Sequence, residues 1–110
     1  MENRNITLLI VDPDQDVLDV MQANLKATII GLRIKACRTT EIGARLIPEV
    51  GAVIYEKTSR NIHLLEEALA ENPEVLCATM SMSSSLNPDL QKPFSMEELQ
   101  KLVLRIVNPK

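Results

Sequence analysis

The feature that most constrains the fold of this chain is a regular alternation between short apolar runs and stretches with the period of an α-helix. Three of the runs are unbroken, and one alternates polar with apolar residues as a half-buried strand does. Unbroken apolar strands separated by helices are typical of a parallel sheet that helices cover on both faces. The predicted strands are ITLLIV (6–11), LRIKAC (32–37), GAVIY (51–55) and VLCAT (75–79).

The stretches that alternate with these runs carry apolar residues three or four positions apart, as the buried face of a helix does. The last helix has the clearest start, because Ser95 followed by Glu98 forms a capping box. The predicted apolar stripes are Leu18, Met21 and Leu25; Ile42 and Leu46; Ile62, Leu65 and Leu69; and Leu99, Leu102, Val103 and Ile106.

One connection is too short for the pattern. Residues 80–91 must contain both a crossover and the last strand, yet a crossover between parallel strands takes at least about 10–12 residues by itself. The segment is also rich in serine and contains Asn-Pro, which favours a loop. We therefore predict a loop or a single turn at 80–87 and a short edge strand at 88–91. The methionine and serine content fits either a plain loop or a flexible binding surface.

Size and charge limit the classes of function. A chain of 110 residues with 45% hydrophobic content forms one domain, residues 1–110, with one core. The terminal VNPK reads as the exit from a helix, so the chain also fits the first domain of a longer regulator. The net charge is −3 and the basic residues are scattered, so we do not expect direct binding to nucleic acid.

The apolar runs are too short for a signal peptide or a membrane span, so we expect a cytoplasmic protein that does not bind membranes. Cys37 and Cys77 fall in predicted strands and lack the spacing of a metal site or a redox motif. We expect both thiols to be reduced and buried.

Four polar residues follow or end the predicted strands: Asp12, Glu56, Thr79 and Lys92. In an open parallel sheet, ligands bind outside the carboxyl ends of the strands. A single polar residue at a strand end needs no functional explanation. Two carboxylates, a hydroxyl and an ammonium together suit a site for an anion and a metal ion.

At this point the sequence resembles the receiver domains of two-component response regulators, and the resemblance covers essentially the whole chain. It is carried by LLIVDPD, by VIYE, by a threonine at the end of the fourth strand and by KPFSMEELQKLV, of which the last is the most specific. The resemblance implies a flavodoxin-like (βα)5 fold with a parallel five-stranded sheet in the order 2-1-3-4-5. Here the fourth helix is expected to be missing or reduced to a loop.

Active receiver domains hold Mg²⁺ with an acidic pair after the first strand and accept a phosphoryl group on an aspartate after the third. A threonine and a lysine, whose bond to the following proline is usually cis, contact the phosphate. Position by position, the resemblance assigns the first acid to Asp12, the hydroxyl to Thr79 and the ammonium to Lys92.

Two departures from this pattern affect the chemistry. Pro13 stands where the second acid should be, and Asp14 follows it. Because Mg²⁺ is held through one or two carboxylates, we predict weak or absent Mg²⁺ binding and no other cofactor. Glu56 occupies the phosphoacceptor position, and its additional bond of about 1.5 Å displaces the nucleophile. We therefore predict a degenerate site in which Glu56 and Lys92 form a permanent ion pair.

A third departure concerns the surface through which receiver domains signal to their partners. Asp89 stands where active receivers carry the aromatic residue that switches with the threonine. With the fourth helix reduced, we predict an interaction surface on 80–91 and one face of the last helix, which includes Met80, Met82, Asp89, Leu99 and Val103. In the competing interpretation the loop folds over that face and leaves a monomer.

These observations favour a pseudo-receiver: a domain that does not accept phosphate, is not an enzyme, and regulates protein partners, with homodimerisation left open. One alternative is a functional receiver that is phosphorylated on Asp12 or Asp14. Another is a flavodoxin-like domain that binds a small ligand, against which the lack of a glycine-rich phosphate loop counts.

Overall fold

The computed structural model describes residues 6–107, which form a five-stranded sheet in the order β2-β1-β3-β4-β5. All four pairs of neighbouring strands are parallel, as predicted. The strands are β1 (Thr7–Val11), β2 (Arg33–Cys37), β3 (Ala52–Glu56), β4 (Leu76–Ser81) and β5 (Leu90–Gln91). The α-helices of these residues are α1 (Gln15–Thr28), α2 (Thr40–Leu46), α3 (Ile62–Glu71) and α4 (Met96–Val107).

The sheet is covered on both faces, as its apolar strands predict. Leu8 and Ile10 of β1 belong to a buried cluster with α1 and α4, whereas Leu9 and Val11 belong to a second cluster with α3. Every residue of β3 is buried. The central strands are therefore apolar because both of their faces meet helices.

The fourth crossover contains no α-helix, which confirms the expectation of a reduced element. A single 3-10 turn, Ser84–Leu86, stands in its place. Asp89 fastens the segment to β4, because its Oδ2 accepts hydrogen bonds from the Thr79 N–H at 2.8 Å and from the Thr79 hydroxyl at 3.2 Å. The ammonium of Lys57 donates to the Leu86 carbonyl at 3.0 Å. The short crossover is thus held by side-chain hydrogen bonds where a helix would be held by apolar packing.

Two element boundaries differ from the sequence prediction. Strand β4 runs to Ser81 rather than ending at Thr79, because it pairs with β5 beyond that residue, through Met80 with Leu90 and Ser81 with Gln91. Strand β5 has two residues and is shorter than the predicted 88–91. The predicted capping box is present: Ser95 and Glu98 exchange hydrogen bonds of 2.8 and 3.0 Å between each side chain and the other's N–H.

Part of the predicted interaction surface is wrong. Met80, Leu99 and Val103 are fully buried, because α4 packs against β4 and β5 with these side chains between them. Met82 and Asp89 are exposed, as predicted, and 74% of Met82 is accessible to solvent. With a 3-10 turn in place of the fourth helix, Cys77 on β4 is exposed, whereas Leu99 and Val103 of α4 stay buried.

The two cysteines differ from each other. Cys37 is buried as predicted, whereas Cys77 is exposed. The sequence prediction for Cys77 is wrong because β4 lies beside the 3-10 turn instead of beneath a crossover helix. No helix among residues 6–107 has both the length and the apolar composition needed to span a membrane.

Candidate functional site

Three of the predicted site residues meet at the carboxyl edge of the sheet. Asp12 follows β1, Glu56 ends β3 and Lys92 follows β5. The Lys92 Nζ lies 2.6 Å from Asp12 Oδ2 and 2.5 Å from Glu56 Oε1. We call these three residues the charged triad. The Lys92–Pro93 peptide bond is cis, as the resemblance implies.

The two carboxylates of the charged triad are buried, and all four of their oxygens are hydrogen-bonded. Asp12 is 1% exposed and Glu56 5%. Asp12 Oδ1 accepts the Asp14 N–H at 2.8 Å. Glu56 Oε2 accepts the Thr58 N–H at 3.1 Å and the Thr58 hydroxyl at 2.9 Å. Each carboxylate oxygen therefore has a donor, which is the condition under which buried charges are tolerated.

The pKa values reflect these contacts. Burial by itself raises the pKa of Glu56, but the hydrogen bonds from Lys92 and Thr58 outweigh it, so the pKa lies below that of an ordinary glutamate. Burial lowers the pKa of Lys92, and the hydrogen bonds to Asp12 and Glu56 outweigh that effect and raise it. Glu56 and Lys92 are thus both charged across the physiological pH range.

The residues after Asp12 do not supply a second metal ligand. Pro13 is exposed, and its carbonyl accepts a hydrogen bond from Arg38 Nε at 3.0 Å. Asp14 caps helix α1, because its Oδ1 accepts the Asp16 N–H at 2.9 Å. The Asp14 carboxylate is therefore engaged at the start of a helix and is not part of the charged triad.

This arrangement does not fit the Mg²⁺ ion that the receiver resemblance implies. The two carboxylates that face each other, Asp12 and Glu56, share one ammonium. Within residues 6–107 there is no group of three or more Asp, Glu, His or Cys side chains that could hold a metal ion. The weak or absent Mg²⁺ binding inferred from the sequence remains a prediction.

Within the described residues, no hydrogen bond connects Thr79 to the charged triad. It lies two residues before the end of β4, and its hydroxyl is paired with Asp89. The hydroxyl residue that ends β4 is Ser81, which is fully buried and whose carbonyl accepts the Lys92 N–H at 2.8 Å. Sequence reasoning missed Ser81. Thr79 and Ser81 share a face of the strand, so only the position of the strand end distinguishes them.

No protein-family model matches this sequence, and no curated protein is significantly similar to it. Solved structures do share its fold. A CheY-like response regulator receiver domain protein from Methanospirillum hungatei superposes with a TM-score of 0.81 at 20% identity, over 96% of each chain. The signal receiver domain of a putative LuxO repressor protein from Vibrio parahaemolyticus gives 0.79 at 11% identity, over 96% of this chain and 92% of that one.

A third structure is the isolated receiver domain of RcsB from Salmonella enterica serovar Typhimurium in the presence of the phosphomimetic BeF3−. Its TM-score is 0.79 at 14% identity, over 97% of this chain and 91% of that one. At these identities the likeness establishes the fold. The chain therefore has the flavodoxin-like fold of receiver domains, with the fourth helix replaced by a 3-10 turn.

Proposed function

We propose that this chain is a receiver-like signalling domain that does not accept a phosphoryl group and acts by binding a protein partner in a two-component-like pathway. The observation that carries the proposal is the Lys92 ammonium, which bridges the two buried carboxylates of Asp12 and Glu56. In this interpretation the bridge replaces the contact that lysine makes with a phosphorylated aspartate in active receivers.

The first argument concerns the nucleophile. Glu56 Oε1 is paired with Lys92, and Oε2 accepts two hydrogen bonds from Thr58. Oε2, which has two donors, must lose one of them before it can attack phosphorus, and attack by Oε1 would compete with its ion pair with Lys92. The glutamate side chain also places its oxygens about 1.5 Å further from the backbone than an aspartate does, and a displacement of about 1 Å costs roughly 100-fold in an aligned reaction.

The second argument concerns charge. In phosphoryl transfer, metal ions neutralise the charge that develops on the phosphate oxygens. Asp12 and Glu56 bring two negative charges to this edge, and Lys92 brings one positive charge. A phosphoryl donor is itself an anion, so without a metal ion it meets a site with a net negative charge. Because Pro13 stands where active receivers carry a second acid, the site also lacks a carboxylate that would strengthen metal binding.

The third argument concerns the alternative acceptors. Asp12 is buried, and both of its oxygens are hydrogen-bonded. The Asp14 carboxylate caps α1, and moving it into the site would uncap that helix at a cost of about 0.5–2 kcal/mol. Neither residue therefore replaces the missing aspartate without losing contacts that stabilise the fold.

Because the charges of the site are permanently paired, we expect the domain to have one conformational state. Breaking a buried ion pair from one side costs about 3–5 kcal/mol, so the triad keeps the carboxyl edge of the sheet in one arrangement. The output is then binding to a protein, or to a second copy of this chain, and no catalysis. The absence of a basic stripe from the sequence supports a protein partner rather than nucleic acid, and we place the domain in the cytoplasm.

The test is incubation of the protein with Mg²⁺ and a small acyl phosphate, followed by measurement of the intact mass. An active receiver domain treated in parallel serves as the positive control. We expect no gain of a phosphoryl group. A stable gain of one phosphoryl group that maps to Asp12, Asp14 or Glu56 would contradict the proposal.

A further inference from the structure

A second feature of the carboxyl edge is a cleft of about 490 Å³ on the side of α2. Its walls come from the segments that follow β1, β2 and β3. In doubly wound sheets, ligands bind at the point where the strand order reverses, and β1 lies at that point because the chain continues from it first to β2 and then to β3. The lining residues are Pro13, Arg38, Thr39, Thr40, Glu41, Ser59 and Arg60.

The charge of the cleft is opposite to that of the charged triad. Arg38 and Arg60 bring two guanidinium groups, and Glu41 brings one carboxylate. Among the residues of the described part of the chain, no salt bridge involves either guanidinium. Arg38 is anchored through Nε to the Pro13 carbonyl at 3.0 Å. Because a guanidinium has five N–H donors, this anchor leaves four of them for other partners.

One wall of the cleft is fixed by the buried hydroxyl of Thr40. The Thr40 hydroxyl donates to the Arg60 carbonyl at 2.8 Å and ties α2 to the segment before α3. Ser59 is more than nine-tenths buried, and its Oγ is the single buried side-chain polar atom within residues 6–107 that has no hydrogen-bond partner. Because that oxygen is inaccessible to solvent, the groups of the cleft that can bind a ligand are its two arginines.

We propose that this cleft binds a small molecule that carries a phosphate group and has about the size of a mononucleotide. Two guanidinium groups match the several oxygens of a phosphate, because arginine recognises phosphate with paired hydrogen bonds. The volume lies in the range of small-molecule sites, about 300–1,000 Å³. The proposal is independent of whether Glu56 accepts a phosphoryl group, since none of the cleft residues belongs to the charged triad.

Titrations followed by two-dimensional amide NMR test the proposal at low ionic strength. The probes are inorganic phosphate, adenosine monophosphate, acetate and uncharged adenosine, each up to millimolar concentration. We expect adenosine monophosphate and phosphate to shift the amides of residues 38–41 and 59–60, and adenosine to leave them unchanged. A shift with acetate equal to that with phosphate would assign the site to carboxylates and overturn the proposal.

Variants then test the roles of the side chains. Arg60→Gln and Arg38→Gln should each weaken binding of adenosine monophosphate at least about tenfold, because each removes charged hydrogen bonds. Glu41→Gln should tighten binding by removing the acid. Arg45→Gln is the matched control, because Arg45 is an exposed arginine near the other end of α2 and does not line the cleft.

The dispersion of each variant's spectrum shows whether it is folded. If loss of the Arg38–Pro13 hydrogen bond unfolds the Arg38→Gln variant, the Arg60→Gln variant still tests the proposal. The proposal is overturned if no phosphate-bearing probe shifts these amides, or if Arg45→Gln weakens binding as much as Arg60→Gln.

Discussion

Lys92 Nζ lies 2.5 Å from Glu56 Oε1, and this contact connects the ends of β5 and β3 across the intervening strand β4. The same ammonium holds Asp12 at the end of β1. One side chain from the edge of the sheet therefore links the carboxyl ends of β1 and β3.

Removal of the ammonium should destabilise the domain. Lys92→Met leaves two buried carboxylates without their shared cation, so the free energy of unfolding should fall by about 3–5 kcal/mol. Urea denaturation measures this change. Lys101→Met is the control, because Lys101 pairs with Glu97 on the exposed face of α4, and its loss should cost at most about 0.5 kcal/mol. Equal losses for the two variants would contradict a structural role for the bridge.

The acid limb of stability should depend on Glu56. Its pKa in the folded protein is lowered from 4.5, so the stability that it contributes is complete above pH 4.5 and is lost as the pH falls through the folded pKa. Urea denaturation between neutral and acidic pH should show a smaller loss for Glu56→Gln than for the unchanged protein. An identical pH dependence in both proteins would show that Glu56 carries no such shift.

The alkaline limb should depend on Lys92 and Tyr55. The raised pKa of Lys92 gives stability that is complete below pH 10.5 and is lost as the pH rises through the folded pKa. Burial, with smaller effects of Cys77, Glu66 and Asp89, raises the pKa of Tyr55 from 10.0 to about 12, so stability also falls above pH 10.0 as the unfolded tyrosine ionises. Tyr55→Phe should remove the second loss and leave the first, which alkaline denaturation curves can separate.

Restoration of phosphoryl transfer should require two changes. Glu56→Asp by itself should stay inactive because Pro13 still supplies no carboxylate for Mg²⁺. Pro13→Asp combined with Glu56→Asp should recover Mg²⁺ binding and some labelling by an acyl phosphate. Intact mass and a magnesium titration measure the two properties. Labelling of the single variant Glu56→Asp would show that the account of Pro13 is wrong.

The fastened crossover should protect its own amides. Asp89→Ala removes the acceptor of the Thr79 N–H, so hydrogen exchange should become faster at Thr79 and across residues 83–89, while β1 and β3 stay protected. Asp19→Ala on α1, where Asp19 accepts only a side-chain bond from Gln15, is the control. Fast exchange across 83–89 in the unchanged protein would favour the open loop that the sequence suggests. Protection that is lost only in Asp89→Ala would support a crossover held by the Asp89 hydrogen bonds.

Local sequence signals predict the strands and helices, apart from the ends of β4 and β5, and the edge of the sheet at which the site lies. The apolar runs of β1 and β3 predict strands buried on both faces, and the capping box at Ser95 marks the start of α4. Both signals are local, since they depend on residues a few positions apart. The expectation that Asp12, Glu56 and Lys92 converge follows from the same signals, because parallel strands bring their carboxyl ends to one edge.

The tertiary structure fixes the end of β4 and the role of Asp14, which no local sequence pattern predicts. Thr79 and Ser81 are two positions apart and lie on the same face of β4. Only the pairing of β4 with β5 shows that the strand ends at Ser81. Asp14 could face the site or cap α1, and the direction of that helix decides for the cap.

The same holds for burial and for the cleft. The reduced fourth helix predicts that Met80 and Leu99 lie at the surface, yet both are buried, because α4, which carries Leu99, packs directly on β4 and β5. Arg38 and Arg60 are far apart in sequence and line one cleft because β1 lies between β2 and β3. Register and packing are set by contacts between distant segments, and for that reason the sequence places residues on elements but does not show which of them meet.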